Sequence, residues 1–454
     1  MTPMPNVSVL EVDDIQATVL RPRPHPYMGQ YILLRIDDAA QGREMLRRII
    51  PHVAPAVDWW TPTLPGWMGI AFSYHGLKAL GVPQEFLDSF PREFREGMAA
   101  RAPILNDVGE NAPENWEYPF GNADMHIALA IYAKDDESLA AVLEWARQSH
   151  HELPQITVVY RMDFSELPEG RNHFGFRDGL HNPSVEGSGV PVHPGYGSPI
   201  KAGEFVMGYP DERGEITASP EPEILRRNGT FLAFRKFHMH VAAFRKYLRE
   251  QASTPEEEEL IAAKMIGRWR SGAPLVLAPE LDDPELGADA DRNNAFSYES
   301  DMSGLKCPFS SHIRRVHPRD ALDHDLVATN LHHFLRRGTN YGPSLPKGIM
   351  EDDGAERGGV FLLIGAHLKQ QFEFVQSQWM TDGNFIGHGT EQDPVVGNNA
   401  GNGIFTIPKR PVRRRLHRLP QFVSVRGGEY CFMPGLRALK WMAGVEAETA
   451  RKHA

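Results

Sequence analysis

Apolar positions along the chain gather into short dense runs, and stretches of helical period separate them. Residues 29–36 (GQYILLRI) predict a buried strand, and residues 39–50 a helix. Residues 67–74 (WMGIAFSY) predict a second strand, followed by a short helix from Gly76. A third strand is expected at 125–132 (MHIALAIY), an acid-started amphipathic helix at 135–150, and a fourth strand at 155–164 (QITVVYRMDF). That order is the order of a split βαβ unit of ferredoxin-like type, with insertions. Glycine, proline and polar residues then dominate 168–228, a connector too long for an idle loop in a compact protein. Pattern returns with a strand at 229–238, helices at 241–251 and 256–270, and a strand at 359–367. Residues 369–379 predict an amphipathic helix, with Leu368, Phe372, Val375 and Trp379 on one face. Residues 278–294 read as an acidic surface loop, and 322–337 as a helix leading into an arginine pair. A second α+β unit follows, without a visible sequence repeat. The expected division is 1–165 and 166–454, with the connector in the second part.

Composition narrows the class. The chain has 454 residues, enough for more than one core, with 41% hydrophobic and 24% charged side chains. The formal net charge of −11 disfavours nucleic acid and anionic lipid as general partners. The basic run from Lys409 to Arg418 is the local exception, and reads as a solvated face or as a strand facing an anionic cofactor. Two cysteines, Cys307 and Cys431, cannot form a disulfide framework of the secreted kind. No apolar run reaches membrane-spanning length, and the first residues lack a signal pattern. The cytoplasm is the expected location.

Three segments carry chemistry. One is Cys307-Pro-Phe-Ser-Ser-His312-Ile-Arg314-Arg315-Val-His317-Pro-Arg319; another is Leu335-Arg336-Arg337-Gly-Thr-Asn-Tyr341-Gly342. The third is Gly175-Phe-Arg-Asp178-Gly179. A histidine can hold haem iron. An aspartate can move a peroxide proton, and an arginine is a fixed positive charge for the departing oxygen. Taken singly, each has an ordinary explanation. The chain has 20 histidines, Asp-Gly is a common turn pair, and an Arg-Arg pair usually serves the surface.

Together, and in this order, the three segments closely resemble the dye-decolorizing peroxidase family. The likeness extends to Ile200–Tyr209, Met265–Trp269, Gln370–Gln376, Asp382–Phe385 and Asp393–Gly397, most of the chain. The resemblance implies an α+β fold of two ferredoxin-like domains, each an antiparallel sheet with helices packed on it, and a b-type haem. It also implies that His312 is the proximal iron ligand, Asp178 the glycine-flanked distal aspartate and Arg336 the distal arginine. Arg336 is preferred to Arg337 because it stands six residues before Gly342, as in the family. The chain departs from many relatives at His317, where asparagine is common, and at His181, where serine is common. His317 is therefore a rival ligand.

The expected activity is haem-dependent reduction of H2O2 with oxidation of dyes, phenolics or other bulky small-molecule reductants, in a protein that is a candidate homo-oligomer. A carboxylate base predicts activity on the acid side of neutral. Asp393 is the expected carboxylate partner of His312, with Asp382 and Glu373 as rivals. Arg314 and Arg315 are candidates for a haem carboxylate. Tyr341 and Trp379 are candidates for carrying electrons toward the surface. Two other readings compete. One is a haem-binding protein for storage or iron removal, which would need neither Asp178 nor Arg336. The other is a non-haem metalloprotein using His150-His151 or His332-His333, pairs whose side chains diverge on either a strand or a helix.

Overall fold

The computed structural model describes residues 10–57, 65–190, 192, 195, 197–322, 328–387 and 389–444. The first unit contains β1 (Met28–Ile36), β2 (Gly66–Phe72), β3 (Ile127–Ala133) and β4 (Ile156–Ser165). They pair antiparallel in the order β4-β1-β3-β2. Helix α1 (Ala39–Ile49) follows β1, and α2 (Asp136–His150) follows β3. Both start where an aspartate accepts a backbone N–H: Asp38 from Gln41 and Asp135 from Ser138. The second unit contains β5 (Thr230–Met239), β6 (Leu335–Tyr341) and β7 (Gly358–Gly365), a small hairpin of β8 (Gly403–Ile407) and β9 (Arg414–Leu419), and β10 (Val423–Met433). Its main sheet runs β10-β5-β7-β6, the same connectivity pattern as the first.

The two sheets meet edge to edge and close an eight-stranded barrel. Ladders within each sheet are long, whereas each seam is one bridge, Phe72 to Phe432 and Ser165 to Asn340. Closure leaves neither sheet an open edge to template aggregation. The barrel interior is filled by side chains. Tyr31 lies 4.7 Å from Phe164 and 5.2 Å from Phe234, centroid to centroid. Helices cover the outside, so β2 and β3 are buried throughout. This is why their sequences are continuously apolar rather than alternating.

A second core lies outside the barrel, where Phe244 and Leu248 of α3 (Val241–Gln251) and Ile261 and Met265 of α4 (Pro255–Ile266) pack with Phe405, Leu416 and Phe422. Several expectations change here. The helix expected over 256–270 ends at Ile266, because Gly267 takes a left-handed φ of 98°. A side chain at Gly267 would collide with Ile313, so the glycine also lets the next layer close in. The expected acidic loop at 278–294 holds a short helix, Pro284–Ala288, and buries Asn293 and Asn294. In 322–337 the arginine pair lies on a strand, β6; residues 323–327 of the expected helix lie outside the described residues. The helix over 369–379 is a wide π-type helix in two stretches, Lys369–Glu373 and Val375–Met380. Strands β8 and β10 were not foreseen; β9 lies in the basic run, for which a strand was one of the two expected readings.

Candidate active site

A cavity of about 1290 Å³ lies on the outer face of β5–β7–β6. The strand period decides what reaches it. Arg336 pairs with Leu363, Gly338 with Phe361, and Phe237 with Gly359, so all six positions share one face. Arg336, Gly338, Leu363, Phe361 and Phe237 all line the cavity. Arg337 also borders the cavity, but its guanidinium points the opposite way. Its Nε donates to Thr18 O at 3.1 Å and its Nη2 to Val19 O at 2.6 Å. The alternation of a single strand thus separates two adjacent arginines into two roles.

The opposite wall holds a short helix, α5 (His312–Val316). His312, Ile313 and Val316 line the cavity, as neighbours at i and i+4 on one helix face should. Ser311 fixes the start of this helix, its Oγ donating to Lys264 O at 2.5 Å. His312 Nδ1 lies 2.8 Å from Asp393 Oδ2. The carboxylate accepts the Nδ1 proton, which leaves the Nε2 lone pair for a ligand bond. Asp393 Oδ1 accepts from Val395 N at 2.9 Å and Val396 N at 3.0 Å, a turn that locks the carboxylate. Burial opposes the charge on Asp393. The His312 imidazole and the two backbone N–H groups outweigh it and hold the carboxyl below its usual value. The rivals are engaged elsewhere: Glu373 pairs with Arg101, and the Asp382 carboxylate accepts from Asn384 N at 2.9 Å.

The connector folds back over the same cavity. Residues 166–172, 174 and 176–182 border it, Asp178 and His181 among them. Asp178 Oδ1 accepts from Gly179 N at 2.7 Å, and Oδ2 accepts from Arg23 Nη2 at 2.9 Å. The other Arg23 nitrogen donates to Gly338 O, which ties the first unit to β6 beside Arg336. Arg336 donates through Nη2 to His181 O at 2.6 Å, and its backbone N–H to Asn182 Oδ1 at 2.8 Å. Burial lowers the Arg336 guanidinium from its usual value, while Asp178 opposes that shift.

Two cofactor candidates do not reach the cavity. Arg314 is fully buried, bonded to Asp301 and to the carbonyl of Cys307. Arg315 is fully buried on the carbonyls of Trp379, Asp382 and Glu391. Two and three positions after His312, they leave its helix face and brace α5 from behind. The basic residue of this motif that does border the cavity is Arg319. Arg319 and Arg23 were missed. Arg319 stood at the end of the quoted motif, but nothing local marked Arg23. The electron-carrying candidates are also off the cavity. Tyr341 is 6% exposed, on the Arg337 face of β6, and donates to Phe237 O. Trp379 is 5% exposed and packs against His332 and Phe374. Neither forms a surface terminus.

These groups suit a haem. One imidazole has a single nitrogen committed to a carboxylate. The walls, from Phe237, Phe361, Leu363, Phe372 and Val375, are broad and apolar. Arg319 and Arg336 supply charge for carboxylates. Among the described residues, no cluster of three or more His, Cys, Asp or Glu side chains could hold a metal ion.

Residues 14–165 match the family model of the DyP dimeric alpha+beta barrel domain. Over 95% of this chain and 87% of the relative, 34% of residues are identical to a dye-decolorizing peroxidase of Exidia glandulosa. The chain belongs to the dye-decolorizing peroxidase family. It is 33% identical to dye-decolorizing peroxidase AauDyP1 of Auricularia auricula-judae, over 95% of this chain and 86% of that one. The crystal structure of a fungal DyP-type peroxidase from the same organism superposes with a TM-score of 0.83 at 29% identity, covering 96% of this chain and all (100%) of the other. A dye-decolorizing peroxidase solved with 2,6-dimethoxyphenol superposes with a TM-score of 0.84 at 27% identity, covering 96% of this chain and 100% of that one. As a dye-decolorizing peroxidase, the protein is a haem-dependent oxidoreductase that uses H2O2, and a storage role is not favoured. The fold expected from sequence, two ferredoxin-like sheets, stands. No helix among the described residues is long and apolar enough to cross a membrane.

Proposed function

We propose that this dye-decolorizing peroxidase binds b-type haem through His312 and activates H2O2 with Asp178 and Arg336. The observation that carries the reading is one cavity bordered by His312, by Asp178 and by Arg336, with the buried Asp393 carboxylate bonded to His312 from behind. When bound, haem iron supplies the redox and Lewis-acid chemistry that peroxide cleavage requires. The side chains divide the remaining work. Asp393 accepts the Nδ1 proton of His312 and keeps the Nε2 lone pair basic. Asp178 removes a proton from H2O2 and returns it to the departing oxygen, help worth about 10²–10⁴-fold. Arg336 places a fixed charge where negative charge develops. Arg23 holds the Asp178 carboxylate toward β6. Arg319 and Arg336 are the cavity's candidates for the cofactor's carboxylates.

The reductants we propose are phenols and other bulky aromatic molecules. A related structure was solved with 2,6-dimethoxyphenol, and another related enzyme was engineered for asymmetric sulfoxidation. Tyr341 and Trp379 serve as internal relays at most, since both are buried. An absorbance titration of haem-loaded protein with H2O2 is the direct test. Stoichiometric formation of an oxidised haem spectrum, returned to the ferric form by 2,6-dimethoxyphenol, supports the reading; a Soret band that peroxide merely bleaches defeats it.

A further inference from the structure

The basic run from Lys409 to Arg418 takes no part in the site described so far, and none of its residues borders the cavity. It forms the tip of the β8–β9 hairpin and most of β9. One side of the hairpin is core. Phe405 and Leu416 are buried in one cluster with Val395, Phe422 and Val423, and Val395 and Val423 border the cavity. Lys409, Arg410, Arg413, Arg415 and Arg418 are exposed. The acids that the hairpin bonds are engaged within the fold: Glu257 by Arg414, and Glu391 by Thr406 and Ser310.

One of these arginines is held in a strained conformation. Leu416 and Leu419 are both buried, although three positions apart on a regular strand they would face opposite sides. A bulge reconciles them. Gly403 pairs with Leu419 and Ile404 with His417, so Arg418 is the extra residue, with a left-handed φ of 59°. Burying both leucines requires the bulge, but it does not require arginine there. The left-handed region suits glycine and strains other residues. An exposed charge kept in a strained conformation points to function rather than to folding.

The hairpin tip shows what these charges fit. Pro411 and Val412 are exposed, Val412 by 73%, between Arg410 and Arg413. An apolar step bracketed by guanidinium groups matches a flat aromatic ring that carries acid groups. The ring covers the proline and valine, and each sulfonate or carboxylate takes two parallel N–H bonds. The face is too small for a macromolecule. Strands of five and six residues span about 20 Å by about 10 Å, roughly 200 Å², whereas a stable protein partner needs about 800 Å² on each side.

We propose that the β8–β9 hairpin is a surface docking site for aromatic anions, through Arg410, Arg413, Arg415 and Arg418, and that it presents them as reductants across the core beneath it. This rests on the reading above that bulky aromatic molecules are the reductants, and adds a site outside the cavity. Each docked molecule gives one electron to the peroxide-oxidised cofactor and leaves as a radical. No atom is transferred, and a donor with a phenolic proton releases it to water.

The test uses the haem-loaded, full-length enzyme. Equilibrium dialysis measures binding of pyrenetetrasulfonate, an aromatic polyanion, apart from any turnover. Steady-state kinetics compares the disulfonated donor ABTS with the neutral 2,6-dimethoxyphenol. The wild type should bind the probe, and more weakly as salt rises. Each exposed charge removed should weaken binding by about two- to fivefold, so the triple variant Arg413→Gln, Arg415→Gln, Arg418→Gly should lose about tenfold or more. Its KM for ABTS should rise in proportion with kcat kept, and its kinetics with 2,6-dimethoxyphenol should not change. Arg418→Gly alone should melt no lower than the wild type yet bind the probe more weakly, a split that a merely structural arginine would not give.

Unchanged probe affinity in the triple variant overturns the proposal, as does a KM for ABTS that does not follow that affinity. A lower melting temperature in Arg418→Gly makes the arginine structural and removes it from the site. Tight binding of duplex DNA without binding of the probe overturns the proposal in favour of a polymeric partner. Failure to oxidise either donor overturns the reductant reading, and dialysis still decides whether the hairpin holds aromatic anions. Oxidation of both donors, unaffected by the triple variant, overturns only the hairpin site.

Discussion

At the scale of single residues, the site turns on which side chains border the cavity. His312→Ala should lose most haem or the spectrum of a histidine-ligated iron, while His317→Ala keeps the ligand; the reverse would move the ligand to His317. Arg336→Leu should slow formation of the oxidised haem species by at least about tenfold, roughly 1.4 kcal/mol of barrier. Arg337→Leu should act on stability instead. It strips donors from the buried carbonyls of Thr18 and Val19, a loss of about 1–3 kcal/mol. Stopped-flow rates and denaturant midpoints separate the two, and a slow but fully stable Arg337→Leu enzyme would contradict the assignment. Asp178→Asn should keep haem yet activate peroxide slowly, with a deficit that shrinks as pH rises and more HOO⁻ arrives already deprotonated. Arg23→Leu should show a milder version of the same defect, because it removes the group that orients Asp178. Equal rates in wild type and Arg23→Leu would leave Arg23 a purely structural tie.

At the scale of elements, the period of each segment decides more than its composition. The helix period of α5 sends His312 and Val316 to the cavity and Arg314 and Arg315 into the protein behind it. Arg314→Leu should therefore destabilise the fold by about 3–5 kcal/mol, because Asp301 would be left buried with its charge unpaired. A chemical denaturation curve checks this, and an unchanged midpoint would return Arg314 to the list of cofactor contacts. The runs 29–36, 67–74, 125–132, 229–238 and 359–367 were legible because those strands are buried on both faces along most of their length, which makes them dense in apolar residues, and 155–164 was legible from its β-branched and aromatic residues although one face is partly exposed. β6 was not legible. LRRGTNY carries two arginines and a glycine, and reads as a strand only once β7 and Arg23 are seen to occupy its two sides. β9 was obscured by the basic run, in which the buried Leu416 stands among Arg413, Arg415, His417 and Arg418, all exposed, and β8 is only five residues long.

At the scale of the molecule, closure of the barrel brings distant carboxyls into dry surroundings. Burial raises Glu429 to about 7 against an ordinary 4.5, although its carboxylate accepts backbone N–H groups from Met98 and Tyr430. Burial also raises Glu204 to about 7. For a carboxyl raised in the folded state, the native protein holds the proton between these two values while the unfolded chain releases it. Stability is then fully present below about pH 4.5 and is lost as pH rises through about 7, by at most about 3 kcal/mol for each group. Melting temperature should fall between pH 5 and pH 8, and less so in Glu429→Gln. An identical fall in that variant would remove Glu429 as a cause. The direction matches the acidic working range expected of a carboxylate base in the active site.

Local pattern alone determined the strand–helix order of the first unit, strands β5 and β7 of the second, the long connector, and the three segments that carry His312, Asp178 and Arg336. These are statements about neighbours in the chain, and periodicity and motif spacing report on neighbours. The tertiary structure alone decided the rest. It chose Asp393 over Asp382 and Glu373, turned Arg314 and Arg315 away from the cavity, and brought Arg319 onto it. It also set Arg23 against Asp178 across 155 positions and closed two sheets into one barrel through two single bridges. Those outcomes depend on which surfaces exclude water together, and no window of sequence contains both partners.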